Sequence, residues 1–280
     1  MISDSIIVMA AGASTRMKNS NSQIKINNDQ KRIANSKSKV LIEFGNKSKP
    51  FISFLISNII NSGFKNVYIV IPANSEDFQN YFTKKIKKDL KIKINFSFQL
   101  VSEKRPKPLG TADAIYQTMQ QFPELKLKSF CVCNGDNLYS VSSLKRIRLS
   151  KFNYVFIAYD RDRLEFSERK ISSFSLIQLD KENCLVDIIE KPSAGQISKF
   201  VEKNGKIRIN MNLLKFGAKS SFDYFKECPL NNKRNEKEIT DVILNIKKND
   251  QNNFHGITVS EHVPDLTCKS DILVITKYLE

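Results

Sequence analysis

The sequence predicts an α/β protein built on a doubly wound sheet with helices on both faces. Two observations predict it. Short apolar runs, rich in β-branched and aromatic residues, alternate along the chain with longer amphipathic stretches. Several of these runs are apolar at every position, as strands covered on both faces tend to be. Ligands of such a sheet are expected beyond the carboxyl ends of its strands.

Residues 5–10 (SIIVMA) read as the first strand. The stretch 18–38 is rich in Asn, Ser, Lys and Gln with a single acid, Asp29, and a composition so poor in apolar surface predicts a mobile loop. A helix is expected over 51–62, with Pro50 in its first turn and Gly63 closing it. Strands at 66–71 (NVYIVI) and 92–98 (IKINFSF) flank a helix near 76–90 that follows Ser75. A helix over 111–122, after Gly110, leads to strands at 129–133 (SFCVC) and 154–159 (YVFIAY). Beyond these the pattern loosens, with strands at 171–179, 185–189, 207–216 and 254–259 and helices at 239–246 and 271–279. The whole reads as one domain over 1–280, with one half at about 1–140 and a second at about 141–280.

Composition narrows the function class. A chain of 280 residues buries a full core without disulfide or metal staples, and 41% hydrophobic with 26% charged residues is an ordinary globular mixture. No apolar run approaches the roughly 20 residues of a spanning helix. Lys and Arg outnumber Asp and Glu by 45 to 29, and the formal +16 points to nucleic acid, an anionic surface or phosphate-bearing small molecules. Basic residues interleaved with aromatics, the mark of a nucleic-acid face, do not occur, and Lys84, Lys85, Lys87, Lys88, Lys91 and Lys93 read as a solvated face. Neither nucleic acid nor a membrane is therefore expected as a partner.

The apolar start carries Asp4 and lacks a basic lead, so it reads as a strand and not as a leader. The five cysteines, Cys131, Cys133, Cys184, Cys228 and Cys268, form no C-x-x-C and read as reduced thiols of a cytoplasmic protein. Cys131 and Cys133 alternate within one run and share a strand face. His255 and His262 are the only histidines, so a zinc site is not expected, and neither G-x-S-x-G nor a P-loop motif occurs.

The chemistry lies in an ordered series of short motifs. The first strand runs into 11–18 (AGASTRMK), a small-residue turn whose backbone N–H groups suit an anion and whose Arg16 adds a planar fork for phosphate. Segments 39–50 (KVLIEFGNKSKP), 108–115 (PLGTADAI), 134–137 (NGDN), 190–192 (EKP), 236–241 (EKEITD) and 264–267 (PDLT) follow. In this order the sequence resembles the sugar-1-phosphate nucleotidylyltransferases, the nucleotidyltransferase family that makes nucleoside-diphosphate sugars. That family's pattern is a strand, a G-x-G-[ST]-R-[ML] loop, P-K-x-L, G-[TL]-[AG], a G-D loop, E-K-P and a late Asp. The resemblance covers nearly the whole chain.

The resemblance implies a Rossmann-like mixed sheet of the nucleotide-diphospho-sugar transferase type, and a Mg²⁺-assisted reaction of an NTP with a sugar 1-phosphate. In-line attack of a phosphate oxygen on the α-phosphorus, with pyrophosphate leaving, asks a protein chiefly for alignment and neutralisation of charge. Asp136, in a loop past an apolar strand where Gly135 allows an unusual backbone, suits a hard cation; the structural alternative is a cap for the next helix. Asp265 resembles the second metal carboxylate, with a plain turn residue after Pro264 as its alternative. By the same resemblance Arg16 meets the leaving pyrophosphate, Lys39 the α-phosphate and Lys191 the sugar phosphate. Ala10, Ala11, Gly12, Gln99, Gly110 and Thr111 form the implied nucleotide-binding set, with Gln99 and Gly110 reading the base. Asn137, Glu190, Asn210 and Glu236 join Lys191 on the sugar phosphate.

The sequence departs from the family pattern at named positions. Ser14 stands for the second loop glycine, Ser38 for the proline before the lysine, Asn212 for the glycine after Asn210, and Thr267, Cys268 and Lys269 for G-T-P. These changes keep two other readings open: transfer to an alditol or amino-alcohol phosphate, and a catalytically idle sugar-nucleotide-binding relative. The chain stops soon after the 264–267 motif, so a stand-alone transferase domain is expected, with 18–38 placed to act as a lid. Which base, which acceptor and whether the chain forms a homo-oligomer stay open.

Overall fold

The apolar runs become sheet interior in the computed structural model, which describes every residue except 1, 21–25, 87–90, 106, 219, 233, 250–253 and 280. The strands of the first half are β1 (Ser5–Met9), the two-residue pair β2 (Glu43–Phe44) and β3 (Lys49–Pro50), β4 (Asn66–Pro72), β5 (Lys93–Gln99) and β6 (Phe130–Asn134). Those of the second half are β7 (Val155–Asp160), β8 (Ser175–Leu179), β9 (Leu185–Glu190), β10 (Arg208–Phe216) and β11 (His255–Val259). Among the described residues nine of them form one sheet, in the order β11-β7-β10-β6-β1-β4-β5, with β8 pairing to β10 and β9 to β8. β1 is parallel to β4 and β6, β4 is parallel to β5, and β11 is parallel to β7. β10 runs antiparallel to β6, β7 and β8 and makes the sheet mixed.

The helices are α1 (Thr15–Asn19), α2 (Asn28–Ser36), α3 (Phe51–Asn61), α4 (Glu76–Ile86), α5 (Thr111–Gln121), α6 (Val141–Leu149), α7 (Glu168–Ile171), α8 (Ala194–Ile197), α9 (Ser220–Lys226), α10 (Ile239–Asn249) and α11 (Lys269–Leu279). Strand alternation sorts the core into two layers. Ile6, Val8, Val67, Ile69, Cys131 and Cys133 face the cluster that holds Ile52, Leu55 and Ile59 of α3, Leu144 of α6 and Ile272 of α11. Ile7, Tyr68, Val70, Phe130 and Val132 face the other, against Ile115 and Met119 of α5 and Val242, Ile243 and Ile246 of α10. Each fully buried Ile, Leu or Phe contributes about 1.5–3 kcal/mol of transfer free energy, so the two-sided cover explains why these runs carry no polar alternation.

Two expectations are corrected. The coil expected over 18–38 holds α2, capped by Asn27, whose side chain accepts from Gln30 N–H at 2.8 Å. Ile33 and Ala34 of α2 are buried in the core and Gln30 donates to the Glu43 carbonyl at 2.9 Å, so few apolar residues sufficed because they fall on one helix face. The strand expected from 171 begins at Ser175; before it, Ser167 caps the single-turn α7 and accepts from Lys170 N–H. Residues 21–25, Lys87, Lys88 and the expected end of α4 at Leu90 lie outside the described residues. Elsewhere, α3 ends against Gly63 at φ +90°, the left-handed position that closes a helix most easily.

Candidate active site

Adjoining cavities lie at the carboxyl ends of the parallel strands. One of about 470 Å³ shares Gly12, Arg16 and Asp136 with one of about 300 Å³ at the β1 turn. It shares Ala11, Gln99 and Pro108 with one of about 240 Å³ past the end of β4. Ala11, Gly12, Arg16, Gln99, Gly110, Thr111, Asp136, Asn137, Glu190, Lys191, Asn210, Glu236 and Asp265 all line the main cavity, and Ala10 and Lys39 line the one at the turn. The tertiary structure thus gathers at one cleft every residue that the family resemblance assigns to the site.

At the turn, Ala10 N–H donates to the Val70 carbonyl at 2.9 Å and carries the sheet register past the end of β1. Ser14 then takes φ +56°, a left-handed conformation that costs a residue with a Cβ roughly 1 kcal/mol. It keeps the backbone shape that a glycine would adopt more easily. Ser14 Oγ accepts from Lys39 N–H at 3.2 Å, which ties the turn to the short 3₁₀ segment Lys39–Leu41. The exposed Arg16 lines both cavities.

The two aspartates are brought side by side by backbone. Asn137 and Asp265 form an antiparallel bridge, and Leu266 N–H donates to the Asp136 carbonyl at 2.8 Å. Gly135 is not in the left-handed region; what it supplies is room, since a Cβ would lie 3.0 Å from the Met9 carbonyl that its N–H bonds. Ser140 caps α6 by accepting from Ser143 N–H at 3.0 Å, so Asp136 is not the helix cap. Asp136 pairs with the Lys39 ammonium. Asp265 is buried and accepts from Asn137 Nδ2 at 3.0 Å, Thr267 Oγ1 at 2.6 Å and Lys170 Nζ at 2.9 Å. Burial, followed by the negative charge of Asp136, pushes the Asp265 carboxyl above its ordinary value despite these donors.

Lys170 was not foreseen. Its ammonium reaches Asp265 Oδ2 and Asp271 Oδ1, both at 2.9 Å, and the Asp265 carbonyl at 3.2 Å, which occupies all three of its N–H donors. Burial alone would lower Lys170, but the charges of Asp265 and Asp271 outweigh it and hold the ammonium above its ordinary value. Asn137, expected on the acceptor, uses its amide to hold Asp265 and to accept from Asn134 Nδ2 at 3.1 Å.

On the wall formed by β5 and α5, Gln99 Nε2 donates to the Gly110 carbonyl at 3.1 Å. Gly110 sits at φ +120°, and a Cβ there would lie 2.4 Å from the Lys237 carbonyl, so the position admits only glycine. Lys237 N–H donates to the Leu109 carbonyl at 2.6 Å, Ala112 N–H to the Lys237 carbonyl at 3.0 Å, and Ile239 N–H to Thr111 Oγ1 at 3.1 Å. This seam joins the two halves of the sequence. β5 is an edge strand, and the amides of Gln117 and Gln121 each bond both backbone groups of Leu100 and Phe98, respectively, as a further strand would. Gln117 Nε2 also bonds Asp113 at 2.7 Å, whose carboxyl burial pushes up.

The opposite wall is ionic. Glu190, at the end of β9, accepts from Arg234 Nη1 at 2.6 Å and from Thr240 Oγ1 at 2.5 Å. Arg234 also pairs with Glu238. Burial, then the charge of Glu190, raises the Glu238 and Asp241 carboxyls. Lys191 is exposed at φ +48°, and Glu236 bonds Lys107 Nζ at 2.6 Å. Asn210 directs its amide at Asn212. Arg234, Glu238, Asn212 and Thr267 join Lys170 as cavity residues not assigned a role beforehand. No local signal marked them, since 234–238 is turn and coil ahead of α10 and the partners of Lys170 and Arg234 lie far along the chain.

The chain is similar to known proteins in sequence and in fold. The sequence model of a family described as nucleotidyl transferase matches residues 31–258. A glucose-1-phosphate adenylyltransferase of Photobacterium profundum is 24% identical over 164 residues, covering 58% of this chain and 40% of that protein. The chloroplastic/amyloplastic small subunit of the Triticum aestivum enzyme is 25% identical over 156 residues, covering 52% and 32%. The chain thus spans two-fifths or less of the length of these relatives. Among solved structures, HddC from Yersinia pseudotuberculosis superposes with a TM-score of 0.64 at 14% identity over 100% of both chains, a likeness of fold.

Proposed function

The chain belongs to the nucleotidyl transferase family, and from that premise we propose that it transfers a nucleotidyl group from an NTP to a sugar 1-phosphate, releasing pyrophosphate. The observation that carries the reading is the convergence of Arg16, Lys39, Lys191 and the Asp136–Asp265 pair on one cleft at the ends of parallel strands. No helix among the described residues is long and apolar enough to cross a membrane.

A divalent cation fits the acid pair. Asp136 and Asp265 sit on backbone segments that bridge at Asn137 and carry carboxylates, the donors a hard ion takes, and the like-charge push of Asp136 on Asp265 is what such an ion relieves. Mg²⁺ held by these two side chains would supply neutralisation of phosphate charge. The chain's own groups do the rest. The backbone of Ala11 and Gly12 receives the triphosphate, and Arg16 balances the departing pyrophosphate. Lys39, already beside Asp136, meets the α-phosphate; Lys191 orients the attacking sugar phosphate oxygen in line with it. Gln99 and Gly110 hold the base edge, and Glu190, kept in place by Arg234 and Thr240, faces the sugar.

The test is pyrophosphate release over a panel of NTPs and acceptor phosphates, with ATP and glucose 1-phosphate first because the relatives' names pair them. Asp136→Ala is expected to lower the rate by about 10³-fold. A near wild-type rate in that variant would remove Asp136 from the reaction, and release with ethanolamine phosphate alone would replace the sugar by an amino-alcohol acceptor.

A further inference from the structure

We propose that Asn210 and Asn212 form a hydrogen-bond-donating recognition element for an oxygen substituent of the acceptor. Asn212 Nδ2 is the contacting group and Asn210 the residue that positions it. The inference rests on the acceptor-cleft reading above and adds which side chain reads the acceptor.

β10 loses its register with β7 between Asn210 and Leu214, and inside this irregularity Asn212 takes φ +58°. Asn tolerates that conformation better than most residues that carry a Cβ. Successive residues of a regular strand point to opposite faces, yet Asn210, Met211 and Asn212 all contribute to the cavity wall. The bulge re-aims the chain toward the cleft.

The amide orientations follow from one backbone group. Asn212 N–H can only donate, and it lies 2.9 Å from Asn210 Oδ1, so the oxygen of Asn210 faces it. Asn210 Nδ2 is then directed at Asn212 Oδ1, 3.1 Å away. What remains is Asn212 Nδ2, which has no hydrogen-bond partner among the described residues. On the same wall, two strands along from β10, Glu190 is engaged by Arg234 and Thr240, and Glu238 by Arg234. The β10 wall therefore offers N–H donors. A hydroxyl, ring or carbonyl oxygen satisfies them, whereas an ammonium group meets donor with donor. The acceptor class that fits is an oxygen-rich phosphate of the sugar type.

Asn212→Gly in the full chain tests this, because glycine takes φ +58° more easily and removes the amide without loss of fold. With glucose, galactose and mannose 1-phosphates, the preferred acceptor should show a KM about tenfold higher, with NTP KM and kcat within about twofold and Tm not lowered. The sign of the amide is tested by Asn212→Asp, which presents acceptors and should shift preference toward ethanolamine phosphate. An unchanged acceptor KM in Asn212→Gly, or a parallel rise in NTP KM with a lowered Tm, overturns the proposal. Should the wild type release no pyrophosphate with any pair, the transferase reading fails by itself. Calorimetric binding of the three sugar phosphates to wild type and Asn212→Gly then still decides this inference, equal affinities counting against it.

Discussion

The two walls of the cleft are built by different means. The wall at Gln99 and Gly110 uses backbone, neutral amides and a glycine that nothing else can replace, all anchored at the ends of parallel strands. The wall at Glu190 and Arg234 is made of reciprocal ion pairs carried by shorter, less regular segments, with Lys191 and Asn212 in left-handed conformations. On the proposed reading, the contrast teaches how one sheet would serve two partners: a shape-rigid wall suits a flat edge read by hydrogen-bond pattern, and a wall of ion pairs suits a polar, charged group.

The sharpest way to break the contrast is at the seam where the walls meet. Gly110→Ala places a Cβ against the Lys237 carbonyl at a positive φ, and unfolding by urea should show a loss of about 3 kcal/mol. A loss under about 0.5 kcal/mol would mean the seam yields and the first wall is not rigid. Next in size, Arg234→Met leaves Glu190 and Glu238 without their shared cation. The acceptor KM should rise about tenfold, the value of one charge-assisted hydrogen bond, while the NTP KM stays unchanged. An equal rise for both substrates would erase the division of labour. The smallest effect belongs to Gln117→Leu, which strips the edge strand of its bonds at Leu100 and one from Asp113. A cost of about 1 kcal/mol is expected, with faster amide exchange confined to the end of β5.

Much of the cleft was legible in the sequence because its motifs are local. A small-residue turn after a strand, a carboxylate one residue past Gly135 and a lysine after Glu190 each declare themselves within a few positions. Lys170 and Arg234 did not, because what gives them a role lies far along the chain: Asp265 and Asp271 for the first, Glu190 for the second. The polar stretch before Ser38 misled for a related reason. Mean composition hides that Gln30, Ile33 and Ala34 share one face of α2 and meet a core that only the folded chain provides. Ser14 and Asn212 stand where the family pattern has glycine, and only the structure shows that both still take the left-handed conformation.

The sequence by itself determined the class of fold, the strands of the parallel half through their apolar runs, and the excess of positive charge. Periodicity and motif order are properties of neighbours along a chain, and they survive without coordinates. Tertiary structure alone decided that Asp265 is buried and bridged to Asn137 beside Asp136, that Asn137 and Lys170 hold it, and that Asn210 bonds Asn212 at the cavity wall. Those facts depend on which backbone groups bridge and on which donors are already used. Both are settled only when distant segments share one low-dielectric space, where a polar group left without a partner costs about 1–3 kcal/mol.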